Sequence, residues 1–425
     1  MASDRLRLPA TPLLTNGDAL ARLRRRLHRG RHPDRHGRVP GGRAAAPGRV
    51  GPAHRPGRAG RSPRAARGVR AHSRRGPDRA APDPRIGRPV PDPRCRRSHL
   101  PARRVAGRRR VVARAAGGRG AVEPGAVEQA AAVLGARARR DRPIGPLTTY
   151  RVGGRAALAV EIASSDDLRV ARDAVSASGV PVLVVGKGSN LLVADAGFPG
   201  LVVQLGNAFS TIEMDGTRVR AGAGVGLPVL ARRSAHAGLT GLEWAVGVPG
   251  SVGGAVRMNA GGHGSETSER LERCCLVDLW SGDEEVAGVD RLDYSYRHSS
   301  VTSHHVVLWA DFTVSTGDAD AAEAEIAEIV RWRRQHQPGG QNAGSVFTNP
   351  PGDSAGRLIE TAGLKGHRIG SACVSTKHAN FFQADPGGSA DDVRALVGEV
   401  RRLVAERVGV TLRTELRLIG FEPST

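Results

Sequence analysis

The charge of this chain changes character near residue 140, and that break decides which part of it can build a hydrophobic core. Residues 1–140 hold 36 Arg, no Lys and eight acidic residues, a net charge of +28, whereas the following 285 residues hold 28 basic and 33 acidic residues, a net charge of −5. Over residues 30–110 Arg alternates with Gly, Pro, Ala and His, without apolar periodicity or aromatic residues. Such a segment buries too little apolar surface to offset the entropy of ordering its backbone, so disorder is expected. A nucleic-acid-binding arm also uses dense Arg to neutralise phosphates, but it would bring stacking residues or a binding motif, and neither is present. Arg without Lys among Pro, Gly and Ala is what G+C-rich DNA yields when translated out of frame or upstream of a start. The segment therefore reads as a gene-model artefact before a natural tail or a functional basic arm.

The full length of 425 residues suits two or three domains. No stretch reaches the roughly 20 apolar residues that span a bilayer, and the N-terminus lacks the apolar core of a signal peptide, so a cytoplasmic protein without membrane insertion is expected. Cys95, Cys274, Cys275 and Cys373 form no C-x-x-C pair, which predicts reduced thiols and no disulfide framework. His263, His298 and His378 are too widely spaced for a ligand pattern, and no metal site is expected.

Order is expected from Pro146. Ahead of it, the Ala-rich stretch 123–140, with Val127 to Leu134 at its centre, shows no clear polar and apolar faces and is left unassigned. An apolar strand over 156–162 precedes a helix over 166–177, with Ser164 or Ser165 as its cap and acids in its first turn. Strands follow at 180–185 and 201–205, completing a small α/β unit, 141–205. Short strands and Gly-rich loops, a helix over 227–237 and a strand over 305–312 make a second unit, 206–315. Helices over 321–335, 355–362 and 390–408, with strands at 381–382 and 412–421, make a third, α+β unit, 316–425.

Two Gly-rich loops carry the first chemical signal. Gly186-Lys187-Gly188-Ser189-Asn190 directly follows a buried strand, where glycines let backbone N–H groups approach an anion closely, although neither the Rossmann nor the Walker A spacing is met. The second loop, Gly247-Val248-Pro249-Gly250-Ser251-Val252-Gly253-Gly254 followed by Met258-Asn259-Ala260-Gly261, has the rigidity of a loop lining a planar cofactor or its phosphates. Each alone also reads as an ordinary turn.

Together with Thr148-Thr149-Tyr150-Arg151-Val152-Gly153-Gly154, these loops resemble the flavin-binding half of the UDP-N-acetylenolpyruvoylglucosamine reductase family, also called UDP-N-acetylmuramate dehydrogenases. Tyr294-Ser295-Tyr296-Arg297-His298-Ser299, Asn342-Ala343-Gly344-Ser345-Val346-Phe347, Lys377-His378-Ala379-Asn380-Phe381 and Thr414-Glu415-Leu416-Arg417 resemble its catalytic half, in the family's order. The resemblance covers about residues 146–422. It implies a two-subdomain FAD-binding fold of the vanillyl-alcohol-oxidase (PCMH) type with a C-terminal α+β substrate-binding domain. NADPH would reduce the flavin, which would pass hydride to the enolpyruvyl group of a UDP sugar in bacterial cell-wall synthesis.

The resemblance further implies flavin contacts from Tyr150, Arg151, Gly186, Lys187, Gly188, Ser189, Asn190 and Leu191, and from Gly247, Pro249, Gly250, Ser251, Gly253, Gly254 and Asn259. Substrate contacts would come from Tyr296, Asn342, Lys377, His378 and Asn380, with Ser345 as proton donor and Arg297 and Glu415 acting on the substrate carboxylate and the enol-like intermediate. These residue types suit the chemistry: a guanidinium stabilises charge growing on carbon and carboxylate, and a hydroxyl can protonate a carbanion beside stabilising charges. Taken singly, Arg297 also reads as a surface charge, Ser345 as a turn residue and Glu415 as a solvated strand residue or an ion-pair partner of Arg417. Thr348 stands where many members carry Lys, and the short connection from Ser345 to Lys377 resembles the compact members of the family. Rival readings are another FAD oxidoreductase of the same fold, a basic nucleic-acid-binding protein, and a decayed paralogue that binds flavin but turns over slowly.

Overall fold

The computed structural model describes Glu123 and residues 125–421, so the expected disorder of the Arg-rich segment, and Cys95 within it, lie outside the described residues. Ordered structure starts earlier than Pro146. Helix α1 (Ala126–Leu134) buries Ala126, Ala130, Ala131 and Leu134, a stripe at helical spacing. Alanines on that stripe look no different in sequence from the exposed alanines beside them, which is why the faces were not legible. Strand β1 (Arg139–Pro143) follows, and a boundary at residue 140 cuts through it.

Strand β2 (Arg155–Ile162) leads into α2 (Ser165–Ser178), and β3 (Val182–Val184), β4 (Leu191–Val193) and β5 (Phe198–Leu205) complete the first unit. Ser164 is the cap of α2: its hydroxyl oxygen accepts the N–H of Asp167 at 3.2 Å, and the Asp167 carboxylate accepts the N–H of Ala163 at 3.1 Å in return. The sheet runs β1-β2-β5-β3, with β2, β5 and β3 parallel because α2 crosses between them, while β1 pairs antiparallel at the edge.

The second unit is an antiparallel sheet built from β6 (Ile212–Asp215), β7 (Arg218–Gly222), β8 (Leu271–Asp278), β9 (Glu284–Gly288) and β10 (His305–Thr313), in the order β9-β8-β10-β7-β6. Two helices cover it, α3 (Leu227–His236) and α4 (Val252–Met258). Helix α4 begins inside the second Gly-rich loop, because Ser251 caps it by accepting the N–H of Gly254 at 3.3 Å. On the sheet, register places Asp311 of β10 between Arg220 of β7 and Arg273 of β8, and its fully buried carboxylate bonds both guanidinium groups at 2.7–2.8 Å.

The remaining elements are α5 (Ala319–His336), α6 (Ala355–Thr361), the small sheet β11 (Arg368–Ile369), β12 (Ala372–Val374) and β13 (Phe382–Ala384), α7 (Ala390–Val408), and β14 (Arg417–Ile419). Helix α5, placed by sequence in the third unit, packs Ala322, Ile326 and Ile329 into the core of the second. The strand expected over 412–421 shrinks to β14, which pairs in parallel with the equally short β4. Tyr150, Val152, Leu192 and Ala194 join the core formed by α6 and α7. The architecture is α+β, as expected. Among the described residues no helix is long and apolar enough to cross a membrane.

Candidate active site

At the end of β3, the turn 186–190 presents five successive backbone N–H groups for which no acceptor exists among the described residues. Its carbonyls, by contrast, are anchored: Gly188 O accepts the N–H of Thr149 at 3.1 Å and Asn190 O accepts that of Arg417 at 3.1 Å. Gly188 has φ +59, and a side chain there would run into the backbone of Leu147 and Thr148. A Cβ on Gly186 would collide with Ser251 Oγ, so the two Gly-rich segments face each other closely. Uncommitted donors in a turn whose two glycines leave no room for a Cβ fit a diphosphate. Nearby, the buried Thr149 and Tyr150 hydroxyls have no hydrogen-bond partner among the described residues.

Sequence-distant groups converge beside this cradle. The guanidinium of Arg297 donates to Glu415 Oε1 at 3.0 Å, to Gly261 O at 2.8 Å and to Asn259 O at 3.4 Å. The partner of Glu415 is therefore Arg297 and not Arg417, which has no ion pair among the described residues. Arg297 adopts φ +58, a left-handed conformation uncommon for a side-chain-bearing residue, and its three acceptors hold it there. Burial raises the Glu415 carboxyl above its usual range, against the pull of Arg297. Val346 ties in the third group: its carbonyl accepts the N–H of Glu415 at 2.8 Å, while Ser345 bridges to Phe381. Ser345 Oγ is half-buried and has no hydrogen-bond partner among the described residues.

Other expected ligands are engaged elsewhere. Asn259 is fully buried, with its amide bonded to Glu266, Ser295 and Ser268, so it supports Arg297 through its carbonyl instead of offering a free amide. Asn380 is buried and clamps both the N–H and the carbonyl of Phe347, beside Ser345. Lys377 Nζ bonds Arg334 O near the end of α5, Asn342 folds back on Gly339, Gly340 and Gly344, and His378 Nδ1 accepts the N–H of Asn380. Gly253 N–H is spent on Ala223 O, Gly247 packs against His263, and Gly250 lies against Ser189. Leu191 starts β4, Pro249 and Arg151 are exposed, and Lys187 lines the cradle. Tyr296 is also exposed, its ring 4.9 Å from the Arg297 guanidinium.

Sequence reasoning passed over Arg257 and His305, which line the same cleft as Gly186 and Lys187. Arg257 stood in a run of small and apolar residues, where an isolated basic side chain was the available signal. A second unforeseen group is Asp278, His304 and His305, whose ligand atoms lie within 4.8 Å of one another. His305 Nδ1 accepts the N–H of Thr302 at 3.0 Å, which leaves the proton of the neutral ring on Nε2, facing Asp278. The thiols of Cys274 and Cys275 are buried, free and pushed up to about 12, chiefly by burial, so they are inert.

Comparison with known proteins agrees with this geometry. A family model described as "FAD binding domain" matches residues 156–287, and one described as "UDP-N-acetylenolpyruvoylglucosamine reductase, C-terminal domain" matches residues 335–419. The UDP-N-acetylenolpyruvoylglucosamine reductase of Synechococcus sp. (strain WH7803) is 42% identical over 289 residues, which cover 66% of this chain and 92% of that protein. The reductase of Heliobacterium modesticaldum is 43% identical over 284 residues, covering 66% of this chain and 90% of that protein. The crystal structure of the Thermus caldophilus reductase superposes with a TM-score of 0.59 at 35% identity, covering 67% of this chain and 99% of that one. The FAD-binding fold of the vanillyl-alcohol-oxidase type is thereby shown, and this chain belongs to the UDP-N-acetylenolpyruvoylglucosamine reductase family of oxidoreductases.

Proposed function

We propose that the protein reduces UDP-N-acetylglucosamine enolpyruvate to UDP-N-acetylmuramate with NADPH, as a cytoplasmic step in peptidoglycan precursor synthesis. FAD, when bound, supplies the chemistry of accepting hydride from NADPH and passing it to C3 of the enolpyruvyl ether. The observation that carries the reading is the convergence of Arg297, Glu415 and Ser345 from three separate segments beside the N–H-lined turn.

Arg297 is held by backbone carbonyls in one orientation, so its charge is preorganised for the substrate carboxylate and for the negative charge that grows beside it. Ser345 has a hydroxyl uncommitted to any described neighbour and is the group for protonating C2. Glu415, beside Arg297 and pushed by burial toward its neutral form, is suited to donate to the enol-like oxygen while the preorganised Arg297 faces the carboxylate. Asn259 and Asn380 act through these groups by fixing the backbone that carries them. Of the flavin contacts, the backbone donors of Gly186, Lys187, Gly188, Ser189 and Asn190 would hold the diphosphate, and Tyr150 would offer its unpartnered hydroxyl. The three-unit division of residues 141–425 stays part of this reading, with α5 reassigned to the middle unit.

The test is an anaerobic absorbance titration of the purified chain. Flavin bands that bleach on adding NADPH and return on adding the enolpyruvyl substrate are expected. Bands that bleach but do not return with this substrate would point to another FAD oxidoreductase of the same fold.

A further inference from the structure

The cleft beside the Gly186 turn carries more positive charge than its own residues balance. Arg257, half-buried near the end of α4, lines it together with Lys187 and His305. Arg417, which starts β14 directly alongside Leu191, is not part of the cleft lining, but its positive charge adds to the burial that disfavours the charged form of Arg257. Neither arginine has a carboxylate partner among the described residues, in contrast to Arg220, Arg273 and Arg297, each of which is paired. Burial and this repulsion bring Arg257 down to about 10. The acid on this side, Asp278, stands behind His304 and His305 and is turned toward them. A buried guanidinium without a counter-charge is unfavourable, and a polyanion bound between these cations removes the penalty.

We propose that Arg257 binds the diphosphate of the flavin dinucleotide from the side opposite the backbone donors of residues 186–190, and so makes this chain selective for FAD over flavins that lack a diphosphate. Gly186 and Lys187, the first two donors of the turn, and the forked side chain line the same cleft, which an ADP moiety would thread. A guanidinium offers bidentate bonds to two phosphate oxygens, whereas the nearby Lys187 acts as a point charge. The inference rests on the assignment of FAD to this cleft.

The experiment compares the full-length protein with Arg257→Met, which keeps the aliphatic bulk, and with Arg257→Lys, which restores charge without the fork. Flavin is removed, the melting temperature of each apoprotein is recorded, and FAD is returned while its fluorescence quenching is followed. The expected result is an FAD dissociation constant raised at least tenfold in Arg257→Met, an intermediate value in Arg257→Lys and an Arg257→Met apoprotein melting temperature no lower than that of the wild type. An unchanged FAD dissociation constant in Arg257→Met would overturn the proposal, and with a raised KM for the UDP-sugar substrate it would assign Arg257 to the substrate diphosphate. A fall in apoprotein melting temperature that Arg257→Lys does not correct would overturn it in favour of a packing role. Wild-type protein that takes up no FAD would instead fail the functional reading itself.

Discussion

Arg297 and Glu415 are separated by 118 positions in the chain, and only packing decides that they pair. Sequence motifs marked both residues, yet left Arg417 open as the partner of Glu415 because the two stand two positions apart in the strand expected over 412–421. The structure resolves this by turning Arg297 into a left-handed conformation, from which its guanidinium reaches both the carboxylate and two carbonyls. The same limit applies to Asn259 and Asn380: residue type announced an amide, but only burial shows that the amide is spent on the protein. Ser345 stands apart, since its hydroxyl is uncommitted. Ser345→Ala is therefore expected to leave flavin reduction by NADPH within about twofold of wild type and to slow reoxidation by the enolpyruvyl substrate by roughly 10²-fold or more. Stopped-flow absorbance separates the two half-reactions, and equal slowing of both would remove Ser345 from the acid role.

Among the elements, those with a cap were legible and those defined by a partner were not. Helix α2 could be read from Ser164 and the acids of its first turn, and it ends at Gly179, whose φ of 65° no longer continues the helix. Strand β14 could not be bounded, because its length is set by the three residues of β4 that it meets. The sheet of the second unit shows what register adds. Arg220, Asp311 and Arg273 are unremarkable in sequence, yet adjacent strands line them up as a charged row around a fully buried carboxylate, and Arg220 also stacks on Trp309 at 3.9 Å. Asp311→Ala leaves two guanidinium groups facing each other and is expected to cost about 3 kcal/mol of stability. Chemical denaturation of the purified variant checks this, and a loss below about 1 kcal/mol would mean that the half-exposed arginines find water in place of the acid.

For the whole molecule, acid stability follows from where the histidines lie. Burial holds His263, His304, His305 and His378 below the ordinary value of 6.5. An unfolded chain takes up protons at these residues near pH 6.5, while the folded one resists until the pH is lower, so their contribution to stability is complete above that value and declines as the pH falls below it. The lowered carboxylates, Asp311 and Asp353 among them, withdraw their contribution only as the pH falls below their ordinary 3.8. Thermal melts should therefore show the melting temperature dropping already between pH 6.5 and 5, and a flat profile across that interval would contradict the assignment.

The pairing of β14 with β4 has a consequence for assembly. The turn proposed to cradle the flavin is anchored through Asn190, whose carbonyl accepts the N–H of Arg417 at the start of β14 and whose amide donates to the carbonyl of Glu415 just before that strand. A nascent chain still missing residues 415–425 thus carries every glycine of the cradle but not the brace that sets it. Deleting residues 415–425 is expected to abolish flavin retention, and a truncated chain that purifies yellow would show the turn to be self-supporting. On the proposed function, synthesis of β14 precedes acquisition of colour, and a flavin-loaded molecule certifies that its translation passed this strand.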